Sequence, residues 1–182
     1  MGIFDRFKKK KPEYDATDIR VSDLNKNFIF DYDLSTWIVK GVYEYDWGDD
    51  YFTKEFKIEN DKEALFLNID HDDELVITIS QKERLVNIGE DLPDYIAKHQ
   101  SPPSKIEFQG KTFMMEEENP GFFNDWSEDK DSWVEFISWD YIDKSGEFVL
   151  SIEQWGEKKF DASHGKIIKE YEISNIFPHK QE

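Results

Sequence analysis

The stretch Trp133-Val134-Glu135-Phe136-Ile137-Ser138-Trp139-Asp140-Tyr141, the loop Ile142-Asp143-Lys144-Ser145-Gly146 and the stretch Glu147-Phe148-Val149-Leu150-Ser151-Ile152-Glu153-Gln154-Trp155-Gly156 read together as a β-hairpin. Both arms are rich in aromatic and branched residues, and the loop carries the Asp, Ser and Gly that a chain reversal needs. In the second arm Phe148, Leu150 and Ile152 alternate with Val149, Ser151 and Glu153. Successive side chains of a strand point to opposite faces, so the first three form a core face.

The same pattern recurs upstream. Asn27 to Asp33, Trp37 to Tyr45, Tyr51 to Ile58, Ala64 to Asp70 and Glu74 to Ser80 read as five strands. The short polar connections between them predict an antiparallel meander. Gly41 inside the second strand marks a bulge or sharp coil. Asp91, Pro93 and the pair Lys98-His99 bracket a short helix over residues 91–99, which Pro102-Pro103 ends. A second hairpin follows, Lys105 to Phe108 and Thr112 to Glu116, then an acidic loop from Glu117 to Asp131. Lys166 to Ile173 reads as the last strand. The expected fold is mainly β, with two related antiparallel sheets or half-barrels in one domain.

A chain of 182 residues suffices for one domain without staples. It contains no cysteine, which excludes a disulfide framework and thiolate metal sites. A formal net charge of -18 argues against nucleic acid, because phosphate contacts require clustered Lys and Arg. Aromatic residues make up 16% of the chain, so the acidity decorates a folded body. Lack of an apolar run of ~20 residues, or of a signal-peptide pattern, makes the cytoplasm the expected compartment.

Residues 1–12 stand apart as a basic amphipathic segment. Ile3, Phe4 and Phe7 share one side of a helix, followed by Lys8, Lys9, Lys10 and Lys11. Such a segment supports weak binding to an anionic membrane surface, peripheral to the inner face. Residues 13–182 form the β-rich domain. Within it, Glu55-Phe56 aligns with Glu135-Phe136, and Leu65, Leu67 and Ile69 with Phe148, Leu150 and Ile152, which suggests internal repeats over residues 26–88 and 104–174.

Trp37-Ile38-Val39-x-Gly41, Trp133-Val134-Glu135-Phe136 and Leu150-Ser151-Ile152-Glu153-Gln154-Trp155-Gly156 resemble the recurring segments of domain of unknown function family 4178. The resemblance covers roughly Val21 to Ile173. It implies a bacterial protein with an accessory role in the cytoplasm, and no assigned reaction. The family pattern often has Arg after the Glu of the last segment, where this chain has Gln154.

The chemistry-bearing patterns are sparse. Asp70 to Glu74 and Asp125 to Asp131 begin like calcium loops, but Leu75 and Gln81 in the first and Lys130 and Phe136 in the second occupy the positions that need Gly and Glu. His71, His99, His164 and His179 form no i,i+4 pair, and no Gly-x-Ser-x-Gly elbow or Gly-rich phosphate cradle occurs. No metal or cofactor is therefore expected. Glu55, Glu135 and Glu153 are candidates to converge, and a polar pocket holding two or more carboxylates would favour acid/base catalysis. The candidate binding surface is a strand face combining Trp133, Glu135, Trp139, Glu153 and Trp155, since aromatics give contact area and carboxylates give direction. The expected function is a non-catalytic binding or adaptor module for a protein or small ligand. The alternatives are a peripheral membrane accessory using residues 1–11 and a carboxylate-dependent enzyme.

Overall fold

The computed structural model describes residues 18–71, 74–127 and 132–179. The basic segment Ile3 to Lys11 lies outside the described residues, as do parts of both calcium-loop candidates. The chain forms β1 (Phe28–Tyr32), β2 (Ser35–Asp46), β3 (Phe52–Glu59), β4 (Ala64–His71) and β5 (Leu75–Glu83). Two helices follow, α1 (Leu85–Ile88) and α2 (Leu92–His99). Then come β6 (Lys105–Phe108), β7 (Lys111–Asp125), β8 (Val134–Asp143), β9 (Phe148–Gly156), β10 (Lys159–Ile168) and β11 (Ser174–Pro178).

All pairings are antiparallel, in the order β11-β1-β2-β3-β4-β5-β10-β9-β8-β7-β6. One further pairing, Tyr43 to Asp46 of β2 with Phe122 to Asp125 of β7, joins the two ends of the inner run. Strands β2 to β5 and β7 to β10 thereby close into a ring of eight, and β1, β11 and β6 extend from it. The fold is mainly β, as the alternation predicts.

The opening hairpin is β8 and β9. Its reversal is held by the Asp143 carboxylate, which accepts N–H bonds from Glu147 at 3.2 Å and Phe148 at 3.1 Å. Two expected elements change their bounds. The acidic stretch after Glu116 is strand as far as Asp125, paired to β8 along its length. Pro120 sits where the second edge of β7 pairs with neither β6 nor β2, a place that tolerates a residue without an N–H. The last expected strand starts earlier, at Lys159, and ends at Ile168. Asp161, Ser163 and Gly165 are poor strand formers, but pairing on both sides, with β5 and β9, overrides propensity. The helix expected over 91–99 is α2, and α1 precedes it.

The outer face of the ring is apolar and covered. On one side Phe56, Ile58, Leu67 and Ile77 pack in one buried cluster with Phe28 and Phe30 of β1. On the other, Trp139, Leu150 and Ile152 pack beneath α1, α2 and the β6–β7 hairpin, through Leu85, Ile96 and Ile106. Leu150 and Ile152 are fully buried, as their alternation predicts, and Phe148 packs against them half-buried.

The two halves share an order of elements. The pair Phe30↔Trp37 of β1–β2 answers Ile106↔Phe113 of β6–β7. Each long strand then bulges, between Val39 and Gly41 and between Met115 and Glu117. Followed along the ladders, Phe56 corresponds to Trp139 and Leu67 to Ile152. This register differs from the match of Glu55-Phe56 with Glu135-Phe136, because Phe56 packs on the outer face of its strand while Phe136 faces inward.

Candidate functional site

The strands of the ring turn their polar alternate positions inward. Thr53 and Glu55 of β3, Asn68 and Asp70 of β4, Thr78 and Ser80 of β5, Ser138 and Asp140 of β8, and Ser151 and Glu153 of β9 all line one cavity of about 570 Å³. Tyr45 and Trp47 close one side of it. A second cavity of about 330 Å³ shares Tyr45 and Glu55 and adds Tyr43, Phe66, Lys82, Phe123, Trp155 and Asp161. The larger cavity reaches Val76, Val149 and Ile142, at the start of β5, the start of β9 and the end of β8. The smaller holds Lys82, Trp155 and Val134, at the opposite ends of those strands. The ring therefore encloses a lumen opening both ways, with Tyr45 and Glu55 at its waist.

Aromatic packing shapes the wall. Trp155 stacks on Phe136 at 4.8 Å between ring centroids and meets Phe123 edge-on at 5.2 Å. Tyr45 stacks on Trp47 at 5.7 Å, and Phe136 stands edge-on to both. Gly121 makes room for this cluster: a Cβ there would lie 2.9 Å from Trp47 Cε3 and 3.1 Å from the Asp46 carbonyl.

The carboxylates carry unequal support. Glu55 accepts the Tyr45 hydroxyl at 3.1 Å, and Asp140 accepts Ser138 Oγ at 2.8 Å. Lys82 Nζ stands 3.8 Å from Glu153 Oε2 and 3.9 Å from Asp161 Oδ2, too far for hydrogen bonds. Glu153 Oε2 is shut off from solvent and accepts no hydrogen bond among the described residues, and the buried Trp155 indole N–H donates none. Burial pushes the Glu153 carboxyl up to about 8: Lys82 pulls the other way, while Glu55, Asp140 and Asp161 add to the rise. Burial also raises the Glu55 and Asp140 carboxyls from their usual values. Tyr45 is raised well above its usual value by burial and by the charges of Glu55 and Glu153.

The five candidate surface residues do not share a face. Glu153 pairs with Ser138, and both line the lumen, as does Trp155. Trp139 pairs with Ile152 on the opposite face, buried under the helices, where its indole donates to Glu118 at 2.8 Å. Trp133 and Glu135 are exposed outside the ring. Of the three carboxylates expected to converge, Glu55 and Glu153 meet in the lumen and Glu135 does not. Asp140, Lys82, Ser138 and Tyr45 escaped the sequence reading. Their one signal is polar alternation on consecutive strands, which an ordinary solvent-facing sheet also shows.

Among the described residues no three His, Asp or Glu side chains are grouped to hold a metal ion, and no helix is long and apolar enough to cross a membrane. The family model described as Domain of unknown function (DUF4178) matches residues 26–170. An uncharacterized protein of Aquifex aeolicus (strain VF5) is 25% identical over 184 residues, spanning 98% of this chain and 99% of that relative. No solved structure matches.

Proposed function

The chain belongs to the family described as Domain of unknown function (DUF4178), whose match takes in all eight strands of the ring, and from that premise we propose a binding module whose small ligand enters the lumen. One observation carries this reading. The ring places its apolar face outward under covering layers and its polar face around a cavity of about 570 Å³. Protein interiors are close-packed, and buried carboxylates without full hydrogen bonding are costly. A fold that keeps both together is organised for an occupant. The binding residues of this reading are Glu55, Asp140, Glu153 and Trp155.

The test is a fragment screen read by amide and indole NMR shifts. Binding should perturb the Trp155 indole and the amides around Glu55 and Glu153, and Ser151→Leu, which fills the cavity, should abolish the response. Hits confined to the outer surface would reject the reading.

A second reading, carboxylate-dependent catalysis, draws on Glu153. A carboxyl pushed up to about 8 holds its proton at neutral pH, as a general acid must. The internal repeat over 26–88 and 104–174 stays within the proposal, supported by the shared strand order of the halves.

A further inference from the structure

We infer that the lumen's occupant is an organic cation, an alkylammonium whose charged head meets Glu55, Asp140 and Glu153 and whose carbon chain lies along Tyr45 and Trp47. This rests on reading the lumen as the binding site and goes further by naming the ligand's chemistry.

Three observations converge. The residues lining the larger cavity include the carboxylates Glu55, Asp70, Glu116, Glu117, Asp140 and Glu153, and no Lys, Arg or His. An anion is repelled there. Second, Glu153 is among the residues lining this cavity, and its buried Oε2 accepts no hydrogen bond among the described residues. Lys82, at 3.8 Å, comes from the side of the smaller cavity and is shared with Asp161. An ammonium carries three donors and supplies what that oxygen lacks. Third, the wall beside the carboxylates is aromatic, and an aromatic face attracts a cation while covering its alkyl part. The carboxylates stand on separate strands, and no three acidic or His side chains among the described residues are grouped as metal ligands, so a diffuse organic cation fits better than a bare ion.

Proton linkage follows from the same geometry. Glu153 is faced by Lys82 of β5, Glu55 of β3, Asp140 of β8, Asp161 of β10 and Tyr45 of β2. Its carboxyl, pushed up to about 8 chiefly by burial, favours the protonated form at neutral pH. A bound ammonium favours the carboxylate, so the Glu153 proton passes to the buffer as the cation enters.

Isothermal titration with n-butylammonium, n-butanol and butyrate tests this, because the three share one chain and differ in head-group charge. Butylammonium should bind at least about tenfold more tightly than butanol, and butyrate should not bind. Near pH 7, titrations in buffers of different ionisation enthalpy should show about one proton released per cation bound. Glu153→Gln should weaken butylammonium binding and remove the proton release. Glu55→Gln gives a second variant should the first fold poorly. The indole resonance of Trp47, which lines the larger cavity, locates the bound probe. Butanol or butyrate binding at the lumen as tightly as butylammonium would overturn the cation assignment and leave the lumen reading standing. Butylammonium binding without moving that resonance, and indifferent to Ser151→Leu, would overturn both.

Discussion

Replacing Glu153 by Gln should make the protein more stable above neutral pH and leave it nearly unchanged under mildly acidic conditions. In the native state the Glu153 carboxyl is pushed up from the ordinary 4.5 to about 8, with burial the largest cause. Below pH 4.5 both folded and unfolded chains carry the proton, and the group does not disfavour folding. Between 4.5 and about 8 the unfolded chain releases the proton and the native chain retains it, so stability falls as pH rises. At ~1.4 kcal/mol per pH unit the loss across that window is about 5 kcal/mol. Gln has nearly the same shape and does not titrate. Denaturant unfolding of both proteins at pH 5, 6, 7, 8 and 9 gives the gap directly. It should be small at pH 5, widen in favour of Glu153→Gln by ~1.4 kcal/mol per unit, and flatten beyond pH 8. Glu55 and Asp140, whose carboxyls are raised in the same direction, titrate in both proteins and lower the stability of both as pH rises. A gap that stays constant from pH 5 to 9 would show that Glu153 is solvated or fully paired with Lys82, and the account of a carboxyl raised by burial would fall.

Leu150→Ala should cost about 2 to 5 kcal/mol by chemical denaturation, since Leu150 is 1% exposed in the core beneath the helices. Gly165→Ala should destabilise by several kcal/mol or prevent folding, read as a loss of soluble protein or a large fall in Tm. The new Cβ would meet the Ile79 carbonyl oxygen across the β5–β10 pair with no room to shift, since the obstacle is backbone. Trp139→Phe removes the indole donor to Glu118 and leaves a cavity at a fully buried position, so it should cost at least about 1.5 to 3 kcal/mol in the same assay. Glu135→Gln, outside the ring, should leave both stability and lumen binding unchanged.

Much of the fold is local chemistry and can be read from the chain. The alternation of Leu150 and Ile152, the turn residues Asp143 to Gly146 and the helix signals from Asp91 to His99 each depend on neighbours a few residues away. They determine strand, reversal and helix without reference to the rest of the molecule. The membership of Trp155 and Glu153 in a site was legible in part, as an aromatic and a carboxylate two residues apart on one strand face. Which residues share a face was not. Trp139 and Glu153 lie on adjacent paired strands, and a ladder with Trp139 opposite Ile152 puts them on opposite sides of the sheet. Register is a long-range property, since a slip of one residue exchanges the two faces. Closure is longer-range still. The polar positions Thr53, Glu55, Asn68, Thr78, Ser138, Asp140 and Ser151 have the pattern of strands that face water. Only the pairing of Tyr43 to Asp46 with Phe122 to Asp125 bends the sheet into a ring and makes that wet face an interior. Burial then raises the Glu153 carboxyl, because charge is costly where water is excluded, and exclusion of water is decided by the tertiary structure alone.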